Sequence, residues 1–330
     1  MSDIEWTGKT WNPIGGCRAI SPGCKNCYAE VMTGRLEAMG QAPYAGLTRP
    51  GVGAKPRVWT GEFREFADKL DVPLNVKKPT TWFVNSMSDL FGEGVSNEYI
   101  AAVFGVMAAC PQHTFQVLTK RAERLREWNE WIRDGSRVEF PTTSPGRIDF
   151  PSIPCRWFAR QHFVGYHGAV DCFGKIDQCP TREDPMPNVH LGVSVENKKH
   201  GLPRIDELRK VPAAIRFLSI EPLLEDLGTI DLTGIHWVIV GGESGHGARE
   251  CKAEWIRNVV RQCKDAGVPV FVKQGGLRFS DEKNGIAGAG LRIAQEATGL
   301  VSIRMKNRKG GDLEELPADL RIREFPKGHP

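Results

Sequence analysis

Three cysteines close together are the residues of this sequence whose type and spacing could do chemistry. Cys17, Cys24 and Cys27 have the spacing C-x6-C-x2-C, within a segment from Trp11 to Tyr28 that is rich in glycine and proline. A C-x2-C pair lets two thiolates bind one metal without a change in chain direction. Glycine adopts backbone angles that other residues avoid, so the loop can fold around a compact inorganic centre. The pattern predicts a metal-binding loop, and the alternative is three unrelated thiols.

The number of thiols indicates which metal the loop would hold. Zinc in a structural site takes four ligands, and nothing near the loop supplies the fourth. An iron-sulfur cube bound by only three thiolates leaves one iron without a protein ligand, and that iron can bind a small molecule. We therefore favour a 4Fe-4S cluster on Cys17, Cys24 and Cys27, with zinc as the alternative.

Composition limits the class of protein. The chain has 330 residues and a formal net charge of +4. No apolar run approaches the roughly 18 residues of a membrane helix, and no basic segment followed by an apolar one begins the sequence. We expect a protein without a membrane segment, located in the cytoplasm, where thiols stay reduced. The nine cysteines are then expected to be metal ligands and core residues rather than disulfides.

The elements that must position the cysteine loop follow a repeated pattern of an apolar run, a polar cluster and a helical segment. Continuous apolar strands alternating with helices predict a parallel sheet covered on both faces. With a short strand at Lys9 to Asn12, about seven βα units result, which indicates an α/β fold forming a complete or partial (β/α) barrel of the TIM type. A doubly wound open sheet is the alternative. The other apolar runs are Thr81 to Asn85, Thr114 to Leu118, His190 to Val195, Arg216 to Ile220, Trp237 to Val240 and Pro269 to Val272.

Helical periodicity fills the intervals between these runs. A helix is predicted from Ala29 to Met39, before Gly40, directly after the cysteine loop. The later helices are Glu98 to Ala109, Arg121 to Ile132, Pro203 to Lys210 and Ala253 to Asp265. Cys263 lies on the apolar stripe of the last one, so we expect it in the core rather than on a metal.

Polar residues, with two glycines among them, follow the predicted strands. Because active sites of parallel α/β folds collect at the carboxyl ends of the strands, these residues are expected to surround one polar site that the cysteine loop enters. They are Asn85, Ser86, Asp89, Lys120, Arg121, Ser194, Glu196, Glu221, Gly241, Gly242, Glu243, Lys273 and Gln274.

The chain is predicted to form a barrel domain over residues 1–275 and a capping extension over 276–330. The cysteine loop occupies 11–28, and an insertion at about 134–188 interrupts the βα repeat. That insertion contains side chains able to form a second metal site, or else scattered thiols and surface imidazoles. These side chains are Cys155, His162, His167, Cys172 and Cys179.

Several segments of the chain resemble the phage-associated three-cysteine-motif family, a largely uncharacterised group that is similar to radical S-adenosylmethionine enzymes. The first gap between cysteines is six residues here, against three in the commonest radical pattern. The segments that carry the resemblance are Trp11 to Cys17, Ser21 to Ala29, Phe83 to Phe91, Leu191 to Glu196, Val240 to Gly245 and Arg308 to Leu313.

The resemblance implies a radical-SAM-type barrel with a 4Fe-4S cluster on the three cysteines and S-adenosylmethionine on the fourth iron. Reductive cleavage would then give a 5′-deoxyadenosyl radical. The resemblance assigns Asn85, Ser86 and Asp89 to the methionine amino group and Ser194 and Glu196 to the ribose; Gly241, Gly242 and Glu243 would approach the adenosyl group or the substrate, and Glu221 joins them as a cofactor contact. It also implies an electron donor and a co-encoded three-cysteine-motif partner protein.

The substrate is expected to be a nucleotide or nucleic acid, modified or repaired by the enzyme. Guanidinium and indole groups suit phosphates and bases, although an ordinary charged helix face with buried tryptophans would give the same pattern. The alternative function is a metal-binding nucleic-acid-binding or assembly protein without radical chemistry. The residues behind the substrate prediction are Arg49, Lys55, Arg57, Trp59, Lys120, Arg121, Arg124, Trp128 and Trp131.

Overall fold

A computed structural model describes residues 4–52, 57–133, 185–245, 247–282, 292–295, 300–304 and 311–327. The candidate second metal site, on Cys155, His162, His167, Cys172 and Cys179, lies outside these residues. The strands are β1 (Lys9–Trp11), β2 (Ile14–Gly15), β3 (Thr48–Pro50), β4 (Arg57–Trp59), β5 (Arg64–Glu65), β6 (Thr81–Val84), β7 (Thr114–Thr119), β8 (Val189–Ser194), β9 (Ile215–Ile220), β10 (Trp237–Gly241), β11 (Glu250–Lys252), β12 (Val270–Gln274), β13 (Arg278–Glu282), β14 (Arg292–Gln295) and β15 (Leu300–Arg304). The helices are α1 (Tyr28–Ala38), α2 (Asn97–Ala109), α3 (Ala122–Arg133), α4 (Lys198–Arg209) and α5 (Ala253–Asp265).

The main sheet contains seven strands in the order β1-β6-β7-β8-β9-β10-β12. Every neighbouring pair is parallel. A doubly wound sheet reverses its strand order at a switch point, whereas this order follows the sequence throughout. Successive right-handed crossovers then lie on one side of the sheet, and the other side becomes the interior of a curled sheet. The predicted α/β fold is confirmed as a partial (β/α) barrel, and the doubly wound alternative is wrong.

The predicted helices agree with the observed ones to within a few residues. Helix α5 begins and ends at the predicted residues, while α4 begins five residues before the predicted Pro203, at Lys198. Asn197 caps α4 by accepting a hydrogen bond from the His200 backbone amide. The periodicity of apolar residues does not include this cap, so it predicted a later start.

No helix in the parts of the chain that the structure describes is long and apolar enough to cross a membrane.

The two faces of the sheet form two separate apolar cores. Alternate strand residues such as Val84, Val117 and Leu218 pack with the helices in the larger core. The residues between them point into the barrel and form a smaller, mostly aromatic core. This inner core contains Phe83, Phe217, Trp237, Ile239 and Phe271.

Trp6, from the segment before β1, fills the centre of the inner core. Its ring centroid lies 4.8 Å from that of Phe83 and 6.2 Å from those of Phe217 and Trp237. These partners belong to strands on opposite parts of the sheet, so one side chain bridges the curled interior. Trp6 therefore forms an apolar floor beneath the carboxyl ends of the strands.

A C-terminal segment covers the exposed edge of β12. The Val272 amide donates to the Ile322 carbonyl over 2.8 Å, and the Glu324 amide donates to the Val270 carbonyl over 3.0 Å. The Arg323 guanidinium donates to the Gly311 carbonyl over 2.8 Å, which holds this segment in place. Pairing satisfies backbone groups that an edge strand would otherwise expose.

Trp6→Ala is expected to lower the free energy of unfolding by about 3–5 kcal/mol, because it empties the centre of the inner core. Met39→Ala, at a side chain that is 74% exposed, should leave stability within about 0.5 kcal/mol of the unchanged protein. Urea unfolding followed by circular dichroism measures both. Equal stability of the two variants would show that Trp6 does not fill the barrel.

Candidate functional site

A cavity of about 430 Å³ opens at the carboxyl ends of the parallel strands. The cysteine loop forms one wall, the strand ends form the others, and Trp6 and Phe83 lie at the floor. The sequence prediction that strand ends and cysteines face one site agrees with this arrangement. Most of the residues that the sequence analysis assigned to this site line the cavity. They are Cys17, Cys24, Cys27, Asn85, Ser86, Asp89, Lys120, Arg121, Ser194, Glu221, Gly242, Glu243, Lys273 and Gln274. Glu196 and Gly241 are not among the lining residues.

The cysteine loop leaves β1 and passes tightly beneath its neighbours before it enters α1. Gly16 has φ +84°, and a β-carbon there would lie 2.1 Å from the Glu62 carbonyl oxygen, so only glycine fits. Cys24 ends a short 3-10 turn that begins at Pro22, and Cys27 is the residue before the first turn of α1. The three thiols thus belong to a segment whose two ends are fixed by regular structure.

Arg121 fastens the first half of the loop to the barrel. Its guanidinium is buried and donates to the Arg18 carbonyl over 3.0 Å, while Nη1 lies 3.9 Å from the Cys17 sulfur. Asp89 and Glu93 hold the same guanidinium, each at 3.0 Å. A planar guanidinium with several donors can make all of these contacts together.

Glu243 and Arg249 fasten the second half of the loop. Arg249 binds the Glu243 carboxylate through Nη2 and Nε at 2.6 and 2.9 Å, and its Nη1 donates to the Pro22 carbonyl over 2.8 Å. The Asn26 side-chain amide donates to the same carboxylate over 2.9 Å. Burial by itself would raise the pKa of Glu243, but these donors hold it below its usual value.

The thiols lie in partly apolar surroundings. Cys17 and Cys27 pack against Trp59, Ala29 and Met87. Burial raises the pKa of the Cys17 thiol to about 12, with Asp89 adding to the rise and Arg121 opposing it. Burial also raises the pKa of Cys27. Thiolates at these positions would need a cation to compensate their charge, which a bound metal supplies.

The three thiols share a cavity without forming a finished metal site. Among the described residues, no three His, Cys, Asp or Glu side chains stand close enough together to hold a metal ion. The described part of the chain also brings no fourth thiol to this cavity, since Cys110, Cys251 and Cys263 are buried elsewhere. Cys263, which lies on α5, is fully buried in the larger core, as the sequence predicted.

Asn85 presents an unused amide to the cavity. Its side chain is only 3% exposed, and neither its oxygen nor its nitrogen has a hydrogen-bond partner in the described structure. Its φ of +58° is in the left-handed region, which costs most residues energy but which asparagine tolerates. A buried polar group without a partner is destabilising, so this amide has the character of a ligand-binding group.

Two lysines contribute charge to the cavity wall. Lys120 donates to the Ser194 hydroxyl over 3.1 Å, and Lys273 donates to Glu221 over 2.6 Å. Beside them, the Ser86 carbonyl accepts a hydrogen bond from the Tyr28 hydroxyl. Burial raises the pKa of Tyr28 to about 12, so the phenol remains a neutral donor at physiological pH.

Three carboxylates that the resemblance assigns to the cofactor or the substrate are already bound by other groups of the protein. Asp89 accepts from Thr119 and the Lys120 amide at 2.7 and 3.1 Å, besides Arg121. Glu196 is fully buried and pairs with Arg204 at 2.6 Å. Together with Glu243, they fix the loop and the strand ends, while contact with a cofactor stays a prediction for each.

The residues proposed for phosphate and base contacts do not form one surface. Trp128 is 3% exposed and packs against Phe104 at 4.4 Å, so it cannot stack on a base. Arg57 pairs with Glu37, and Trp59 faces the thiols. For Trp128, the alternative of a buried tryptophan on a charged helix is correct.

Arg249 and Asn26, which position the loop, were not predicted because nothing in their local sequence indicates distant partners.

Comparison with known proteins identifies a family but not a reaction. Residues 1–316 match the family described as "Protein of unknown function (DUF5131)". No curated protein matches the chain. Phage association, which the resemblance implied, stays a prediction.

Solved structures of spore photoproduct lyase show a distant likeness. A double mutant with bound AdoMet and dinucleoside spore photoproduct aligns over 94% of this chain and 72% of that chain, at 10% identity and a TM-score of 0.36. The lyase complexed with dinucleoside spore photoproduct aligns over 93% and 70%, at 10% identity and a TM-score of 0.35. Likeness at this level does not bear on what this chain binds.

Asn85→Gly is expected to raise the free energy of unfolding by about 1 kcal/mol, because it removes a buried amide without partners and suits the positive φ. Asn188→Ala is the matched control, since that amide donates to the Met107 and Cys110 carbonyls at 2.9 and 3.1 Å and its loss should destabilise by about 1–2 kcal/mol. Urea unfolding distinguishes them. Equal destabilisation of both would mean that Asn85 serves the fold rather than a ligand.

Arg204→Met is expected to destabilise the protein at pH 7 by about 3–5 kcal/mol, because it leaves Glu196 buried and unpaired. Burial would raise the pKa of Glu196, yet Arg204, Lys120 and Ser21 hold it below the ordinary 4.5. The stabilisation is therefore complete above pH 4.5 and is lost as the pH falls through the lower folded pKa. In urea unfolding, the difference in stability between the variant and the unchanged protein should narrow as the pH falls, because buried Glu196 without Arg204 takes up a proton at a higher pH. A difference that does not depend on pH would contradict an ionic role for the pair. Arg126→Met, at a more exposed pair, should cost much less.

Proposed function

Since the chain belongs to the DUF5131 family, whose description names no reaction, we propose from the site itself that the protein is a radical S-adenosylmethionine-type enzyme. Its substrate would be a nucleotide or nucleic acid that is modified or repaired. The observation that carries the proposal is a three-thiol loop held over a cavity that also contains the Asn85 amide, for which the described residues supply no hydrogen-bond partner.

The donor set fits a 4Fe-4S cluster better than structural zinc. Cys17, Cys24 and Cys27 supply three thiolates, and the described residues bring no fourth thiol or imidazole to the cavity. Zinc in a structural site would need that fourth ligand, whereas a cluster with three protein ligands keeps one iron for a small molecule. The loop contains Gly15, Gly16 and Gly23, whose backbone freedom suits a chain that must fold its thiols around a compact centre.

The surrounding side chains suit a ligand with both amino-acid and nucleoside parts. Asn85 can donate and accept at the wall nearest β6, and Lys120 can bind a carboxylate near Ser194. A cluster bound there would supply the electron that cleaves S-adenosylmethionine to a 5′-deoxyadenosyl radical. Trp59 covers Cys17 and Cys27 and would exclude water from that reaction.

A flat substrate suits the remaining space. Trp6, Phe83 and Leu118 provide an apolar floor, and Lys120 and Lys273 place cations in the walls. Ligand pockets of several hundred Å³ are commonly apolar with a few polar groups that fix orientation. These features support a nucleotide more than a large polar polymer lying across the surface.

Anaerobic reconstitution with iron and sulfide tests the proposal. The protein is expected to turn brown, to show a thiolate-to-iron absorption that dithionite bleaches, and to form 5′-deoxyadenosine from S-adenosylmethionine on reduction. Cys24→Ala should lose all three signals, whereas Cys263→Ala, which removes a buried core thiol, should retain them and cost only packing energy.

Metal analysis separates this function from its alternative. Stoichiometric zinc without iron or sulfide would overturn the radical proposal and favour a metal-binding nucleic-acid or assembly protein. A normal cluster in Cys24→Ala would show that the ligands are misassigned. In the intact protein, a cluster that never yields 5′-deoxyadenosine would also contradict the proposal.

A further inference from the structure

Glu221 and Lys273 form an ion pair whose two side chains line the cavity. Glu221 follows β9, Lys273 lies in β12, and their side chains meet at 2.6 Å across the end of β10. That end carries Gly241 and Gly242, so no side chain separates the two. Both side chains are less than one-fifth exposed and both line the cavity.

Part of the hydrogen-bonding capacity of the pair is not used by the described residues. All the hydrogen bonds that Glu221 makes within the described residues go to its Oε1, from Lys273 at 2.6 Å and Gln274 at 3.4 Å. Its Oε2 remains an acceptor, and the Lys273 ammonium keeps two further donors. An acceptor and a donor therefore stand side by side in a cavity with an apolar floor.

Charge decides which ligand suits this arrangement. A phosphate or carboxylate would be repelled by Glu221, and an ammonium group would be repelled by Lys273. A neutral group with an N–H beside a C=O satisfies both members, because the N–H donates to Oε2 and the carbonyl accepts from the ammonium. Among flat molecules that suit a floor of Trp6 and Phe83, nucleobases with a lactam edge (uracil, thymine and guanine) have this pattern.

We propose that Glu221 and Lys273 recognise the lactam edge of a substrate nucleobase. This rests on the proposed function for the presence of a substrate, and it places Glu221 with the substrate instead of the cofactor. The pair then determines specificity through hydrogen bonds that a base without the N–H cannot complete. A site built around such hydrogen bonds strongly rejects an analogue that lacks them.

Binding of two nucleosides to the full chain tests the inference without requiring turnover. Uridine and N3-methyluridine differ only at N3, where a methyl group replaces the hydrogen of the N–H that would donate to Glu221. Titration calorimetry of the cluster-free and the reconstituted protein is expected to show uridine binding at least about tenfold tighter than N3-methyluridine. Glu221→Gln and Lys273→Met should each weaken uridine binding by about tenfold or more, while Lys264→Met, at an exposed lysine on α5, should not change it.

The outcomes separate this inference from the proposed function. Equal binding of the two nucleosides, or uridine binding that survives both substitutions, would overturn it. If Glu221→Gln weakens the binding of S-adenosylmethionine and leaves that of uridine unchanged, the pair belongs to the cofactor and the inference fails while the radical proposal stands. A protein that takes up no iron but loses uridine binding in both variants supports the pair and overturns the radical proposal. The comparison of nucleosides on the unchanged protein does not depend on variant folding.

Discussion

The guanidinium of Arg121 is the contact on which the site most depends, because it joins the cysteine loop to the sheet. It binds the Arg18 carbonyl in the loop and Asp89 and Glu93 at the exit of β6, and it approaches the Cys17 sulfur. Charge-assisted hydrogen bonds of this kind are stronger than neutral ones, and a buried arginine keeps its charge. Arg249 does the same for the second half of the loop, so two cations hold a segment that has little regular structure of its own.

The hydrogen bonds from Arg121 and Arg249 explain how a loop with little regular structure can form one wall of the cavity. The loop needs glycine to pass beneath its neighbours, and glycine makes it costly to order. Arg121, between β7 and α3, and Arg249, after β10, supply the missing constraint by donating to backbone carbonyls of the loop. These bonds do not depend on which side chains the loop carries. The thiols are thereby kept at the cavity while the loop retains freedom to adjust around an inorganic centre.

Much of the fold could be predicted from the sequence, because buried parallel strands are continuous apolar runs and their spacing indicates βα units. The separation into an outer and an inner core could not be predicted from the sequence. Phe83 and Val84 are both apolar, and only the curl of the sheet places them in different cores. The polar strand ends were predicted as a group. Glu196 is paired with Arg204, whereas the Asn85 amide has no partner in the described part of the chain. The sequence could not distinguish these two cases, because they depend on the three-dimensional contacts of each side chain.

The position of Trp6 has a consequence for how the chain folds. The inner core forms only when the segment before β1 meets Phe217 and Trp237, which come much later in sequence, and the edge of β12 is covered only when residues 322–324 arrive. Contacts of such high contact order slow folding, because loop-closure entropy must be overcome before they form. The outer core can assemble from adjacent βα units, so a curled sheet with an unfilled centre is the expected late folding intermediate. The pocket acquires its floor in the same late step that completes the fold.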